Sequence, residues 1–349
     1  MLNLKTIRRF VALVLVNALV VGILLEGFFV VMLHAPRLVA VSPKPLQRLV
    51  QQVYRHFNRA FIQFEPGCAR YDPEVTYTLR PGGCTFGNIE FQNAYAVNHL
   101  GVRDTEASLE APEIIALGDS HVMGWGVGQD EPFARVLARA TGRKTLDAGV
   151  SSYGTVRELT LLNRLDTSHL KVLVIQYADN DLPENLAFRR YGNRLPIMTE
   201  AQYQGIVRYY TSQRGYFPGK YAFRLFMKVS HLEEPEPVDL KMPAATPTEE
   251  AELFLNAVQH ATNKNLDGVQ LVVLEINQQL VPPRPFIAAL AEVKSRESYP
   301  EYIRRLVTVD TTRVLTRKEF YVLDDHMNAG GHRAVGEALA QAIRPVFGH

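Results

Sequence analysis

A long apolar stretch near the N-terminus constrains this chain more than any other feature. Residues 10–33 are apolar apart from Asn17 and Glu26. About 24 residues, each adding about 1.5 Å to a helix, exceed the ~30 Å hydrocarbon core of a bilayer. A cleaved signal peptide usually has a shorter apolar region, and residues 33–37 make a poor cleavage site. We therefore predict a retained single-pass anchor, with Glu26 near the outer interface because a carboxylate in hydrocarbon costs free energy.

Basic residues before this stretch predict its orientation. Lys5, Arg8 and Arg9 favour a cytoplasmic N-terminus, because cytoplasmic flanks of membrane helices are rich in basic residues. The rest of the chain is then expected outside the cytoplasm. The expected location is the inner (cytoplasmic) membrane, with the folded part on the periplasmic or extracytoplasmic side.

The two cysteines, Cys68 and Cys84, fit that location. Outside the cytoplasm they can form a disulfide, whereas cytosolic redox would keep them reduced. The bridge would close a loop of about 17 residues, worth roughly 3 kcal/mol of stability in the chain-entropy model. Two unpaired thiols are the alternative. Neither cysteine has the neighbouring Cys or His of a metal site, so no metal is expected there.

Composition indicates an ordinary globular protein beyond the anchor. The chain is 47% hydrophobic and 21% charged, values that argue against extensive disorder. Its net charge of +2 argues against a nucleic-acid partner. Residues 124–128 are rich in glycine, but they match neither the phosphate-binding loop nor the dinucleotide fingerprint, so no nucleotide cofactor is expected.

The chain divides into three parts. Residues 1–35 hold the cytoplasmic end and the anchor. Residues 36–112 form a linker, an amphipathic helix at 46–64 and a disulfide-bearing lead-in segment that covers or leads into the main domain. Residues 113–349 form the main domain, with an insertion at about 182–247.

Short apolar strands alternate with helices in the main domain. The predicted strands are 114–117, 144–148, 172–177, 269–276 and 306–309, and the predicted helices are 132–141, 155–166, one beginning near 248, and 329–343. This alternation favours a mostly parallel five-stranded sheet covered on both faces. Right-handed crossovers then give a three-layer, flavodoxin-like α/β domain.

The alternation lapses in the insertion. Its aromatic residues are Tyr191, Tyr203, Tyr209, Tyr210, Tyr216, Phe217 and Tyr221, and a polar, Pro-rich run follows at 233–247. A structureless loop of this length is unusual, so we expect the insertion to have helices of its own. Its aromatics either line a sugar or acyl site or pack the insertion onto the sheet, and packing is favoured.

Three separated motifs are placed at one edge of the predicted sheet. Gly118-Asp119-Ser120-His121 follows the first strand, and Asp179-Asn180-Asp181 follows the third. Asp324-Asp325-His326 precedes the last helix. Each is weak alone, but ligands bind at the carboxyl ends of parallel strands, where a serine, an amide and a histidine with a carboxylate would meet.

The order of these motifs resembles that of the SGNH (GDSL-type) hydrolases over roughly residues 95–345. The resemblance implies that Ser120 is the nucleophile, His326 the general base and Asp324 its orienting acid. Asn180 and the backbone N–H of Ser120 would be oxyanion donors. A third donor, a glycine N–H in the family, aligns here with Ser152, which Gly149 and Gly154 flank, and the N–H of Gly149 is a further candidate.

The chain departs from the family pattern at two points. Ser152 stands where the family has glycine, although a backbone N–H can serve whatever its side chain. The orienting Asp lies two residues before the His rather than three, which leaves Asp325 as the alternative to Asp324.

The resemblance implies a serine esterase or O-acyltransferase that forms an acyl-enzyme without metal or cofactor. Its expected substrate is an ester or an acylated cell-envelope carbohydrate, and anchored members of the family also suggest a membrane-embedded acyl-donor partner. The alternative is a non-catalytic member that serves as a binding or assembly module.

Overall fold

The computed structural model describes residues 3–232, 243–277 and 285–348. The helices are α1 (Leu4–His34), α2 (Pro36–Val41), α3 (Lys44–Phe57), α4 (Ser120–Met123), α5 (Phe133–Thr141), α6 (Thr155–Leu162), α7 (Asp181–Arg190), α8 (Glu200–Ser212), α9 (Lys220–Val229), α10 (Pro247–His260), α11 (Pro285–Val293), α12 (Glu301–Arg304) and α13 (Ala329–Phe347). The strands are β1 (Ala69–Asp72), β2 (Thr76–Leu79), β3 (Gly82–Asn88), β4 (Phe91–Val97), β5 (Ile114–Gly118), β6 (Thr145–Gly149), β7 (Val172–Tyr177), β8 (Gln270–Glu275) and β9 (Val307–Val309).

The centre of the main domain is a five-stranded parallel sheet in the order β6-β5-β7-β8-β9. Every residue of β5, β6 and β7 is buried, because helices cover both faces. Successive side chains of β5 enter opposite cores: Ile115 packs with α6, α10 and α11, whereas Ile114 packs with α5 and α13. This confirms the three-layer α/β fold with a parallel five-stranded sheet.

The first helix, α1, is 31 residues long and apolar enough to cross a membrane by length and composition. Most of its side chains before Leu25 are exposed. Near its C-terminal end, Phe29, Met32 and Leu33 are buried against α2 and α3. The apolar stretch is therefore one continuous helix, and its part from Gly22 onwards contacts the folded domain.

The amphipathic helix of the lead-in segment is shorter than its sequence pattern predicts. It ends at Phe57, and residues 58–61 are non-helical before a short 3-10 turn at Ile62–Phe64. The apolar spacing continues to Phe64, but tertiary contacts override it. The break turns Arg59 and Gln63 towards the main domain, where both make side-chain contacts.

The insertion contains most of α7 together with α8 and α9, whereas positions 233–242 of its Pro-rich run lie outside the described residues. Two of its aromatic residues contact aromatic rings of the lead-in segment. Tyr203 is buried against Phe64, Tyr71 and Tyr77, and Tyr210 stacks on Phe64. These residues pack the insertion onto the lead-in segment.

The lead-in segment carries two β-hairpins, β1-β2 and β3-β4. A disulfide joins Cys68, just before β1, to Cys84 in β3. The predicted pairing is confirmed, and it ties the two hairpins together next to the cluster that contains Trp125.

Loss of this disulfide should destabilise the domain. We expect Cys68→Ser/Cys84→Ser to lower the free energy of unfolding by about 3 kcal/mol, because the unfolded chain regains the entropy of the closed loop. Urea denaturation of the full chain in detergent micelles, followed by the fluorescence of the buried Trp125, measures this. Wild-type protein under reductant is the control and should match the variant. Equal stability of oxidised wild type and variant would contradict the prediction.

Candidate active site

The three motifs meet at the carboxyl edge of the sheet. Ser120 is the first residue of α4, two residues after β5 ends. Asn180 lies between β7 and α7, and His326 comes three residues before α13 begins. Because β5 and β7 are parallel neighbours, their carboxyl ends emerge side by side.

Ser120, His326 and Asp324 form a continuous hydrogen-bonded chain. Ser120 Oγ lies 2.7 Å from His326 Nε2, and His326 Nδ1 lies 2.5 Å from Asp324 Oδ1. The same Asp324 oxygen accepts the backbone N–H of His326 at 3.2 Å. All three side chains are buried. This is the arrangement in which an imidazole accepts a serine proton while a carboxylate fixes its orientation.

The second oxygen of Asp324 and the imidazole face are also occupied. Tyr54, from α3, donates its hydroxyl to Asp324 Oδ2 at 2.6 Å, and Trp125 Nε1 donates to the same oxygen at 3.3 Å. The Trp125 ring stacks on His326 with centroids 4.7 Å apart. The imidazole plane is therefore held by packing as well as by hydrogen bonds.

Asp325, the alternative orienting residue, has a different set of partners. Its Oδ1 lies 3.3 Å from His326 Nδ1, farther than the Asp324 oxygen. Arg59 and Arg55 both pair with it, at 3.2 Å and 3.3 Å. Asp324 is thus the carboxylate closer to His326 Nδ1, whereas Asp325 is the buried anion that pairs with the two arginines.

The loop before His326 is positioned by Glu90, at the turn between β3 and β4. Its carboxylate accepts the backbone N–H groups of Val322, Leu323 and Asp324 at 2.7–2.9 Å. Three N–H donors on one carboxylate fix the backbone of the loop that carries Asp324 and His326.

Charges around His326 set its proton affinity. Burial alone would lower the pKa of His326, but the Asp324 charge and the hydrogen bonds that His326 Nδ1–H donates to the two aspartates raise it above its ordinary value. Burial opposes ionisation of Asp325, yet Arg59 and His326 hold its pKa below the ordinary range. Asp324 keeps a lowered pKa through His326 and Arg59 despite its burial. The pair of carboxylates is therefore ionised at neutral pH.

Two residues beside the serine shape the turn at the end of β5. Asp119 Oδ1 accepts the N–H of His121 at 2.8 Å, and its own N–H donates to Gln176 at 3.1 Å. Burial raises the pKa of Asp119 to about 6. His121 is buried 5.0 Å from the His326 ring, and burial lowers its pKa, so it is neutral and places no positive charge beside the base.

The asparagine of the second motif is held in place by a buried turn. Asp181 accepts N–H groups from Thr155 and Ala178, at 2.7 Å and 2.9 Å, which fixes the turn after β7. Asn180 donates one amide hydrogen to Tyr153 O at 2.9 Å. Because an amide nitrogen has two hydrogens, the second is available to a ligand.

The backbone N–H groups that could form an oxyanion hole differ in whether they already donate to an acceptor. Within residues 3–232, 243–277 and 285–348, no acceptor engages the N–H of Ser120 or Ser152. The N–H of Gly149 instead donates to Asp147 Oδ1 at 3.1 Å, so the structure does not bring it to the site. Gly149 still matters sterically, because a Cβ there would lie 2.2 Å from Met123 N.

Ser152 adopts a backbone conformation that favours glycine. Its φ is +58°, in the left-handed region. Gln63 from the lead-in segment donates to Ser152 Oγ at 2.9 Å, and its carbonyl oxygen accepts from Ser151 Oγ at 3.0 Å. The alignment of Ser152 with a family glycine therefore has a structural counterpart, since the turn needs the conformation that glycine adopts most readily.

Sequence reasoning missed the residues that support the acid and the base. Tyr54, Arg59, Glu90 and Trp125 carry no local motif, and three of them belong to the lead-in segment. The pair Asp324-Asp325 is a sequence signal for Arg59 alone, since two buried carboxylates require a cation from elsewhere in the chain.

Asp324, Asp325 and His326 also group in the way that metal ligands do, with donor atoms within 4.8 Å of one another. The two arginines and Tyr54 already supply cationic and hydrogen-bonding partners to these carboxylates. The contacts of the group therefore fit a hydrogen-bonded triad.

Comparisons with known proteins give structural similarities only. No protein-family model matches the sequence, and no characterised protein matches it significantly. The chain is similar to Est24, a carbohydrate acetylesterase from Sinorhizobium meliloti, at 13% identity and a TM-score of 0.36, over 67% of this chain and 99% of that one. It is also similar to a carbohydrate esterase family 2 enzyme from Corynascus thermopiles (Myceliophthora fergusii), at 18% identity and a TM-score of 0.34, over 68% and 66% of the two chains.

A lipolytic protein of the G-D-S-L family from Desulfitobacterium hafniense is similar at 9% identity and a TM-score of 0.32, over 65% of this chain and 97% of that one. The similar solved structures are thus GDSL-type lipolytic proteins and carbohydrate esterases. At such identities and TM-scores the similarity carries no inference about activity, which has to come from the geometry of the site.

Removing Arg59 should expose the cost of the buried carboxylate pair. We expect Arg59→Met to lower the free energy of unfolding by about 3 kcal/mol, because Asp325 loses its closest cation. Adding Asp325→Asn should recover most of that loss, since the uncompensated charge is then gone. Urea denaturation of the full chain in micelles measures both variants.

The matched control for this cycle is Arg305→Met, which removes an exposed ion pair with Glu301. Its expected effect is about 0.5 kcal/mol or less, because surface pairs contribute little. If Arg59→Met and the double variant were equally destabilised, the loss would come from packing and not from an unpaired charge.

Proposed function

We propose that the chain is a serine esterase or O-acyltransferase that forms an acyl-enzyme on Ser120. The observation that carries this proposal is the hydrogen-bonded chain from Ser120 Oγ through His326 to Asp324, at 2.7 Å and 2.5 Å. A buried histidine between a serine hydroxyl and a carboxylate is equipped to remove the serine proton.

In the proposed reaction, neutral His326 takes the proton of Ser120 as Oγ attacks the carbonyl carbon of an ester. The backbone N–H groups of Ser120 and Ser152 and the free amide hydrogen of Asn180 donate to the oxyanion. The tetrahedral intermediate expels the alcohol, which receives the proton from His326. Water or a sugar hydroxyl then gives its proton to His326 and attacks the acyl carbonyl. As the bond from the acyl carbon to Ser120 Oγ breaks, His326 returns this proton to Oγ, and Ser120 and neutral His326 are restored.

The proposed substrate is an ester or an acylated cell-envelope carbohydrate. Support comes from the long apolar helix and from the disulfide, which together favour a membrane-anchored domain outside the cytoplasm. We propose a single-pass protein of the inner membrane, with its N-terminus in the cytoplasm and its catalytic domain in the periplasm. A membrane-embedded acyl-donor partner fits the transferase, whereas water alone suffices for the esterase.

The first test is covalent labelling and ester hydrolysis by the full chain in detergent micelles. A fluorophosphonate probe should label wild type, and Ser120→Ala and His326→Ala should each lose labelling and about 10⁴-fold or more of the hydrolysis of an activated acetyl ester. Asn180→Ala should lose about 10²–10³-fold, because one oxyanion donor is removed.

Ser168→Ala, which changes an exposed serine far from the motifs, is the control and should behave as wild type. If folded wild type reacts no faster than Ser120→Ala, catalysis by this chain is ruled out under these conditions. The non-catalytic alternative, a binding or assembly module of a membrane complex, would then be favoured.

The raised pKa of His326 predicts the pH dependence. Protonated His326 cannot accept the serine proton, so kcat/KM should fall as pH drops through its pKa, with a midpoint above the ordinary 6.5. Asp325→Asn removes an anion 3.3 Å from Nδ1, which lowers the pKa of His326 and moves this acidic limb to lower pH.

Hydrolysis of the activated ester between pH 5 and 9 measures the shift. Asp267→Asn, at an exposed carboxylate, is the control and should leave the midpoint unchanged. A midpoint that moves to higher pH in Asp325→Asn would contradict the proposed electrostatics.

A further inference from the structure

The acidic residue in the apolar helix, Glu26, has an intramolecular partner. Glu26 of α1 is buried, and its carboxylate accepts the backbone N–H groups of Tyr221 and Ala222 at 2.8 Å and 3.2 Å. These donors lie in the first turn of α9, whose own N-cap residue, Gly219, makes no capping side-chain bond. A carboxylate at this position satisfies unpaired N–H groups and stabilises the positive end of the helix dipole.

The two helices also approach through small residues. A Cβ placed on Gly22 would lie 3.9 Å from the Ala222 Cβ, so the backbones pass close together at this point. About two turns further along α1, Phe29 packs against the ring of Tyr221. Small residues at a crossing are typical of helices that pack in membranes.

The contact between Glu26 and α9 lies before the C-terminal end of the apolar stretch, towards the centre of the proposed membrane span. Glu26 is seven residues before Leu33, which corresponds to about 10 Å along the helix axis. Interfacial helices bury their apolar face about 5–10 Å into the boundary between headgroups and acyl chains. If α1 spans the bilayer, the start of α9 therefore lies about as deep in the membrane as an interfacial helix does.

The outer face of α9 is apolar and exposed. Phe223, Phe226 and Val229 are 51%, 62% and 78% exposed. The same helix carries Arg224 and Lys228, besides the buried Lys220, and no acidic residue. An exposed aromatic and aliphatic face combined with cationic side chains is the pattern of a helix that lies in a membrane surface.

We propose that α9 is an interfacial membrane helix, which lies beside α1 with Phe223, Phe226 and Val229 among lipid acyl chains. Glu26 fixes it to the anchor by capping its first turn. The chain then contacts the bilayer through two elements, and the domain is held in one orientation at the lipid surface. This proposal rests on α1 spanning the membrane, as proposed above, and not on catalysis.

Tryptophan scanning of the full chain in lipid vesicles tests the proposal. Phe226→Trp adds one reporter to the single natural tryptophan, Trp125, which is buried in the site and gives a constant background. The chain is reconstituted in phosphatidylcholine and phosphatidylglycerol with or without brominated acyl chains. We expect emission at shorter wavelength and several-fold stronger quenching by brominated lipid than for Tyr191→Trp, whose parent side chain is 65% exposed.

Leu15→Trp, in the middle of α1, reports separately on the anchor. Quenching of Leu15→Trp but not of Phe226→Trp would overturn the interfacial helix while the anchor stands. Absence of quenching in both would overturn the anchor and the proposal together, and ester hydrolysis would still report on the proposed activity. Quenching of Phe226→Trp that disappears at high protein density would assign the face to a second copy and also overturn the proposal.

Variants of Glu26 test how the helix is held. Glu26→Ala in the Phe226→Trp chain should weaken quenching several-fold, because the N–H groups of the first turn lose their acceptor. Glu26→Gln should retain quenching, since the amide oxygen still accepts. Equal quenching in all three chains would show that Glu26 does not hold α9 at the membrane.

Discussion

The burial of two consecutive carboxylates beside one histidine is the interaction on which the rest of this structure depends. Asp324 and Asp325 are both almost inaccessible to water. Burying ionised carboxylates costs several kcal/mol unless cations and hydrogen bonds replace water. A single imidazole cannot balance two anions, so the fold must bring further cations to this loop. Arg59 and Arg55 meet that need.

The source of these cations explains why the lead-in segment is bound so closely to the main domain. The α3 helix buries Val50, Val53 and Phe57 in a cluster that also contains Leu323, next to Asp324. The same helix presents Tyr54 to Asp324, and the break after Phe57 directs Arg59 to Asp325. A straight helix to residue 64 would have continued the apolar pattern but lost this ion pair. The need of the buried Asp325 for a cation thus accounts for the end of α3 at Phe57.

The fold could be predicted from the sequence because its strands are buried on both faces, which makes them continuous apolar runs. Parallel pairing then places Ser120 and Asn180 at one edge, whatever the details of the loops.

The residues that contact Asp324, Asp325 and His326 from the lead-in segment could not be predicted in this way. Tyr54 and Arg59 reach the site from about 270 residues away in sequence, through contacts that no local pattern encodes. The N–H of Gly149 already donates to Asp147 Oδ1, a contact that the residue type alone does not predict.

Charge balance links the arginines to the proposed chemistry. With His326 neutral, the charges of Asp324 and Asp325 are offset by Arg55 and Arg59, so the buried site has no net charge among these five groups. In the proposed transition state, His326 gains a positive charge while an oxyanion forms on the substrate. The two new charges again cancel, so the net charge of these groups stays at zero through the step.

A site from which water is excluded favours this balance, because an uncompensated charge is most costly there. The contribution of the second aspartate and the two arginines is to the resting state: together with Asp324 they have no net charge, so the proposed proton transfer begins and ends with these groups in balance.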